Sequence, residues 1–339
     1  MTGMWKNCWA KFRKNKTALW AARVLFFVCV LSLSSTFIAN DKPLIIKYKN
    51  ELYFPIFKTY TDQQFAGSLP TEADYTDPYT QEEILRHGWY VMPPIPYSYD
   101  TIDTQSPLPS PQPPSWRHYL GTDDVARDVL ARLLYGLRIS LLFAFALTVV
   151  SSLIGFIVGA VQGYFGGYTD LWVGRLLEIW SSLPQLFILI ILASVLAPGF
   201  FTLLLVLCLF GWTSLVGVVR AEFLRVRNFE YVKAARALGA SHLRVMVRHI
   251  LPNALVSALT YIPFIFAGAI VSLTALDFLG FGLPAGSASL GDLVRQGKEN
   301  LQALWIGLTA FFALTLVLSC LLFIGEGVRD AFDPRKDES

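Results

Sequence analysis

The sequence predicts an all-α, polytopic membrane protein of six transmembrane helices, with a long outer loop between helices 1 and 2. Three observations predict it. First, 54% of the 339 residues are apolar and only 16% are charged, against roughly 25% charged in soluble domains, and the mean hydropathy is +0.48. Second, the apolar residues gather in runs near the ~20 residues that a helix needs to cross the hydrocarbon core. Third, lysine and arginine concentrate in alternate connections between those runs, which sets an orientation.

The first span is read at 18–38, Ala18 to Ile38, interrupted by Arg23. Residues 1–17 form a basic lead with Lys6, Lys11, Arg13, Lys14 and Lys16. This lead and the small residues at Ser34, Ser35 and Ala39 resemble a signal peptide, but the apolar run is long for an h-region. Cleavage is not expected. The second span is Leu141 to Val161, without a charge. Ile179 to Val219 is also free of charges. It is long enough for two crossings, read at Leu183–Leu196 and Phe200–Val219 around the breaker Pro198-Gly199. The fifth span is Ala254 to Leu276 and the sixth Trp305 to Ile324, so that spans two to six form a core over 138–327 with a tail over 328–339.

Six spans put both termini on one side. Arg220, Arg225, Arg227, Lys233, Arg236, Arg244 and Arg248 mark the loop between spans four and five as cytoplasmic, together with the basic N-terminus and Arg329, Arg335 and Lys336. Asn40 to Leu137 carries 13 acids against 8 bases and falls outside, as does Asp277 to Leu304.

The outer segment over 39–137 is far longer than an ordinary connection and should carry structure or a function. Leu44 to Phe57 is rich in Ile, Tyr and Phe and is expected to pair as a hairpin across Lys49-Asn50. Eight prolines between Pro93 and Pro114 exclude a helix and predict an extended connector. Thr122 or Asp123 is the expected cap of an amphipathic helix over Asp128 to Arg138, read first as a lead-in that anchors span two and alternatively as a helix lying along the outer interface. The segment reads either as a docking or lid element or as a packed extension.

The cytoplasmic loop over 221–253 is the most informative stretch. Asn228 is the expected cap of a helix through Leu238, Gly239 its C′ glycine, and Ser241 the cap of a second helix through Ile250. Pro252 marks the start of span five. Ala234, Ala235 and Ala237 leave one surface small, with Phe229, Tyr231 and Leu238 as anchors, which suits a helix laid into a partner's groove. An interfacial helix resting on anionic lipid satisfies the same pattern.

Several chemistries are absent. The cysteines, Cys8, Cys29, Cys208 and Cys320, form no CxxC and no cluster with histidine, so no metal is assigned. No Walker-type loop, GxSxG, HExxH or paired catalytic carboxylates occur, so no cofactor and no catalytic residue is expected. No aromatic-interleaved basic groove for nucleic acid exists. Candidate groups for a substrate path are Gln185, Thr260, Ser272 and Asp277, with helix packing by Ser and Thr and a solvated helix-end role for Asp277 as the alternatives. Arg175 and Glu178 read as a structural i,i+3 pair.

Lys233-Ala234-Ala235, Gly239 and Leu251-Pro252 resemble the EAA loop of permeases in binding-protein-dependent ABC importers. Lys233 stands in place of the family's acid and His249 in place of its isoleucine. Leu120-Gly-Thr-Asp123 with Arg127-Asp128, Arg132, Gly136, Arg138 and Ser140 is similar to the segment before span two in the C-type permeases of dipeptide and oligopeptide importers. There Ala126 stands where a glycine is usual. Phe278 to Gly282 and Gly325 to Pro334 resemble that family's outer loop and C-terminal end. The outer insert, with Ile38 to Leu44, resembles the permeases of microcin C-type peptide importers. The resemblance implies the type I permease fold and a non-catalytic subunit of a bacterial inner membrane importer. It also implies that Tyr231, Lys233, Ala234, Ala235, Gly239, Leu251 and Pro252 belong to a coupling loop. The implied partners are a second permease, cytoplasmic ATPase subunits, a periplasmic peptide-binding protein and membrane lipid. The rival readings are a secondary transporter or channel, which calls for intramembrane charges or an inverted repeat, and a membrane-anchored enzyme using His87 and His118.

Overall fold

The computed structural model describes residues 2–104, 106 and 109–332. In chain order the helices are α1 (Thr2–Lys14), α2 (Lys16–Leu33), α3 (Ser35–Ile38), α4 (Pro78–His87), α5 (Val129–Phe165), α6 (Gly167–Ser182), α7 (Gln185–Val195), α8 (Phe200–Gly211), α9 (Thr213–Val226), α10 (Glu230–Ala237), α11 (His242–Val245), α12 (Leu251–Leu259), α13 (Ile262–Phe278), α14 (Leu290–Glu299) and α15 (Leu304–Phe332). Three short strands, β1 (Ile45–Tyr48), β2 (Glu51–Tyr53) and β3 (Gly88–Val91), form a sheet in the order β2-β1-β3.

Among the described residues, α2, α5, α8 with α9, and α15 are each long and apolar enough to cross a membrane. Two bent pairs, each counted as one broken span, bring the number to as many as six: α6 with α7, bent by 71°, and the helix over His242–Leu259 with α13, bent by 51°. Proline explains both breaks, since it lacks a donor and clashes with the preceding turn. Pro184 stands at the N-cap of α7 and Pro263 in the first turn of α13.

Counting each bent pair as one span gives the six expected, but the third extends beyond the residues assigned to it. The stretch Leu183–Leu196 is only half a span, because α6, which carries Asp170, Arg175 and Glu178, completes it. The helix from Asp128 is one piece with span two. It runs unbroken into span two as the 37-residue α5. Its cap is neither Thr122 nor Asp123: the Asp128 carboxylate accepts from Ala131 N at 2.7 Å. Asp123 instead accepts from the backbone of Val125 and Arg127, and Thr122 Oγ1 accepts from Gln112 N.

The chain divides into two compact units. One holds residues up to Phe26, Ser140–Pro284 and from Leu314 on; the other holds Phe27–Ile139 and Ala285–Ala313. In the first, α5 and α9 approach closely along three glycines spaced by four. A Cβ added at Gly155, Gly159 or Gly163 would come within 2.3, 2.6 and 2.5 Å of the carbonyls of Trp212, Val216 and Arg220. Small residues at such an interface let helix backbones pack by direct contact, which is how helices associate in lipid. The crossing is reinforced by Arg227, whose Nη1 donates to the carbonyls of Gly163 and Tyr164.

The second unit carries the outer insert. The hairpin forms as expected, with Lys49 and Asn50 at φ 47° and 65° in its turn, the conformation of a two-residue type I′ connection. Its core joins Ile46, Tyr48, Phe65, Tyr75 and Ile84. The proline stretch holds no helix over its described residues and leads to a buried polar knot. His118, 2% exposed, lies between two carboxylates, with Nε2 at 3.1 Å from Asp103 and Nδ1 at 2.9 Å from Asp128. Arg117 adds a 3.0 Å contact to Asp103, and the Tyr97 ring lies 4.5 Å from the imidazole. Ala126 has φ 65°, which explains why a glycine is usual there.

Burial works against the His118 imidazolium, but hydrogen bonds and charge from Asp128 and Asp103 outweigh it, so its pKa is raised above 6.5. A group raised on folding stabilises the fold below its unfolded pKa and loses that contribution as pH climbs through the folded one. Thermal unfolding followed from pH 5.5 to 8.5 should show this knot strongest at the acid end and weakening upward. His118→Asn should flatten that slope. An unchanged slope in the variant would refute the assignment.

Candidate functional site

The loop between α9 and α13 is a helical elbow. α10 begins after Phe229, which is extended, and no side chain caps it. Asn228 is not the cap: its Nδ2 donates to the Leu224 carbonyl of the preceding helix. The C-terminal end forms as expected. Gly239 has φ +83°, its N–H donates to Arg236 O at 3.0 Å, and Ala240 N–H donates to Ala235 O at 3.1 Å. That pair of bonds is the Schellman closure, which needs a left-handed residue at this position.

One side chain that sequence reading passed over holds the elbow down. Val232 is fully buried against Val226, Val245 and Ile250, in a cluster that continues to Val219, Phe223 and Ala254. Tyr231 adds a polar tie: its hydroxyl accepts from Asn253 Nδ2 at 2.8 Å and donates to His249 O at 3.3 Å. The signal for Val232 was in the sequence, as the apolar residue between Tyr231 and Lys233. Three aromatic or branched residues nearby outnumbered it.

Those three, named as anchors, face outward in this chain: Phe229 is 40% exposed, Tyr231 44% and Leu238 88%. Lys233, Ala234 and Gly239 are exposed beside them, and Ala235 is half-buried. The elbow therefore exposes Leu238, Leu243, small alanines and the Lys233 charge, with its own core behind. Lys233 Nζ reaches Glu230 at 2.9 Å, a solvent-exposed pair of little energetic weight.

Behind α10 the chain runs through α11 into a five-residue π-helical stretch, Met246–Ile250, before α12. Pro252 lies in the first turn of α12. Proline has no N–H to give to the preceding turn and crowds the carbonyl four residues back, so a widened π turn directly ahead of it has a physical cause. Leu251 and Pro252 thus set the joint between the elbow and the broken fifth span.

Two cavities open in the same unit. One, of about 400 Å³, is lined by Gln185 and Ser272 together with Ser151, Ser214, Tyr261 and Phe264. The other, of about 670 Å³, is lined by Gln162, Asp170, Arg175, Glu178, Gly217 and Arg220. Thr213 lines both. Of the four path candidates, Gln185 and Ser272 are therefore brought together and two are not. Thr260 sits at the break before α13 and donates to Ser257 O within its own helix. Asp277 is 7% exposed. It is not a solvated helix-end acid, because its Oδ1 accepts from Leu283 N at 2.7 Å and fixes the turn after α13. A Cβ at Gly282 would strike that carboxylate.

A chain of broken apolar spans, with an exposed helical elbow between two of them and cavities lined by polar groups, has the organisation of a membrane permease. The chain belongs to the family of binding-protein-dependent transport system inner membrane components, whose model matches residues 151–338. It is 50% identical to a peptidoglycan transport system permease protein, YejE, of Agrobacterium fabrum, over 98% of this chain and 93% of that protein. It is 52% identical to the inner membrane ABC transporter permease protein YejE of Escherichia coli, over 97% and 96%. An oligopeptide transport system permease protein, OppC, of Mycobacterium tuberculosis is 37% identical over 72% of this chain and 84% of that protein. The chain is a membrane permease subunit of the ABC importer family, which works with ATPase and substrate-binding subunits.

Proposed function

We propose that this chain is one of two permeases that pass peptides across the bacterial inner membrane, converting nucleotide-driven motion of separate ATPase subunits into alternating access. The carrying observation is the elbow: Val232 locks its inner face while Lys233, Ala234 and Leu238 stay open. A rigid handle with an unoccupied surface transmits force; a loose loop does not. In this reading the loop over 221–253, the N-terminus and the tail are cytoplasmic, residues 39–137 are periplasmic, and a binding protein delivers cargo to that outer side. ATP hydrolysis then belongs to the partners. Relatives named for peptide, oligopeptide and peptidoglycan transport support the cargo class.

The test is copurification of the tagged chain, reconstitution in proteoliposomes with its ATPase and binding protein, and measurement of peptide uptake. Uptake should require ATP and be indifferent to an ion gradient. Gradient-driven uptake without ATP would favour the secondary-transporter reading and defeat this one.

Gly239→Val gives a sharper check. Nothing lies within 4 Å of an added Cβ, so packing is untouched, while a β-branched residue at φ +83° costs roughly 1–2 kcal/mol or more. Uptake should fall at least tenfold with normal membrane insertion. Uptake at the parental level would argue against a coupling role for the elbow.

A further inference from the structure

The larger cavity has properties that the elbow does not explain. Its walls, from α5, α6 and α9, carry two acids and two guanidinium groups in a bundle otherwise poor in charge, and ionisable groups among spans point to function before structure. Two of the four are fixed. Arg220 donates to Asp170 through Nε at 2.5 Å and Nη2 at 2.6 Å, joining α9 to α6 as a bidentate pair. The other two are not. Arg175 and Glu178 meet at 2.6 Å on one helix face, at 67% and 66% exposure. Exposed i,i+3 pairs are worth little and exchange readily for other partners.

Gly217 adds an independent observation. It stands in the interior of α9 and lines this cavity. Glycine in a helix interior is destabilising relative to alanine. Yet a Cβ there would meet nothing within 4 Å, so no contact within the chain calls for it, unlike Gly155, Gly159 and Gly163. What it provides is bare backbone at the cavity wall. The volume, about 670 Å³, falls in the range that holds small ligands.

We infer that this cavity is a way-station for short peptides with free termini, where Arg175 receives the carboxylate, Glu178 the ammonium, and Gly217 admits the peptide main chain against α9. The paired Asp170 and Arg220 form its fixed wall. The site is neutral as a whole and dipolar in its exposed, exchangeable pair, which matches a zwitterion and disfavours a cargo of one sign. The inference rests on the peptide-importer reading above and names where in this chain the cargo is held.

The experiment uses the assembled importer in proteoliposomes with ATP and its binding protein. The probes are trialanine, its C-terminal amide and its N-acetyl form, and each rate is taken as variant over parent, so that any preference of the binding protein cancels. Arg175→Gln should lower trialanine uptake about tenfold and leave the amide near parity. Glu178→Gln should lower trialanine similarly and spare the N-acetyl form. Gly217→Leu, whose Cβ meets nothing within 4 Å and whose side chain intrudes on the cavity, should depress all three. Equal loss of all three peptides in both charge variants would mean that the cavity is filled by protein, such as the second permease, and would overturn the inference. Parental rates in all variants would overturn it equally. Failure of the parent itself to accumulate any tripeptide would instead remove the peptide-importer reading beneath it.

Discussion

Val232→Asp is expected to reduce ATP-driven uptake to background while leaving the chain inserted in the membrane. The side chain is fully buried among Val226, Val245, Ile250 and their neighbours, and no cation faces it within that apolar cluster. An isolated carboxylate there carries a penalty of several kcal/mol, relieved by protonation or by the elbow lifting away. Either route removes the rigid seat of α10. Val232→Ala should be milder, about 1–3 kcal/mol from the lost methyls, with partial uptake. Stimulated ATPase activity and protease sensitivity of the loop read the two variants directly. Parental uptake by Val232→Asp would show that force does not pass through this seat.

Arg132→Leu carries the second large effect, on the insert-bearing unit. Arg132 is fully buried and gathers three parts of that unit. It donates to Tyr99 O at 3.1 Å, to Ser287 O at 3.0 Å and to Asp292 at 3.0 Å, with Nε 3.4 Å from Asp123. Removing it leaves the Asp123 carboxylate, itself fully buried, with one cation fewer and strands two carbonyls. Breaking a buried pair in this way costs roughly 3–5 kcal/mol. Thermal unfolding should move down by about 10 °C on the usual scaling for domains of this size. Arg132→Lys should fall between, because an ammonium cannot span the acceptors that a planar fork reaches. A melting temperature within a degree of the parent would show that the network is ornamental.

How much of this was legible in advance differs from place to place. The hairpin over Lys49-Asn50 and the glycine ending of α10 were readable, since each depends on the backbone conformations of one or two residues. The caps were not: Asn228 and Thr122 are good capping types, yet the structure uses their side chains elsewhere and lets Asp128 cap α5. A capping side chain has one set of bonds to give, and tertiary neighbours decide who receives it. Span boundaries failed for a related reason. α6 bears Asp170, Arg175 and Glu178, so a hydropathy reading started the third span at Leu183; those charges are paired and line a cavity.

The path candidates show the same division. Gln185 and Ser272 share a cavity, whereas Thr260 serves its own helix and Asp277 braces a turn. From composition all four are polar groups in apolar spans, and nothing local separates them. The Asp103–His118–Asp128 knot and the contacts of Arg132 join residues up to 160 positions apart, beyond any pattern a window can register.

Sequence alone settled that this chain is a bundle of about six apolar helices with a helical loop between the fourth and fifth, because hydrocarbon thickness and backbone hydrogen bonding leave a run of apolar residues few alternatives. It also marked Gly239, because the left-handed residue that closes a helix is most easily a glycine. Only the tertiary structure decided that Val232 seats the elbow, that α5 and α9 touch through three glycines, and which polar groups face open space. Those outcomes depend on what lies opposite each side chain, and opposition is set by packing between segments far apart in the chain.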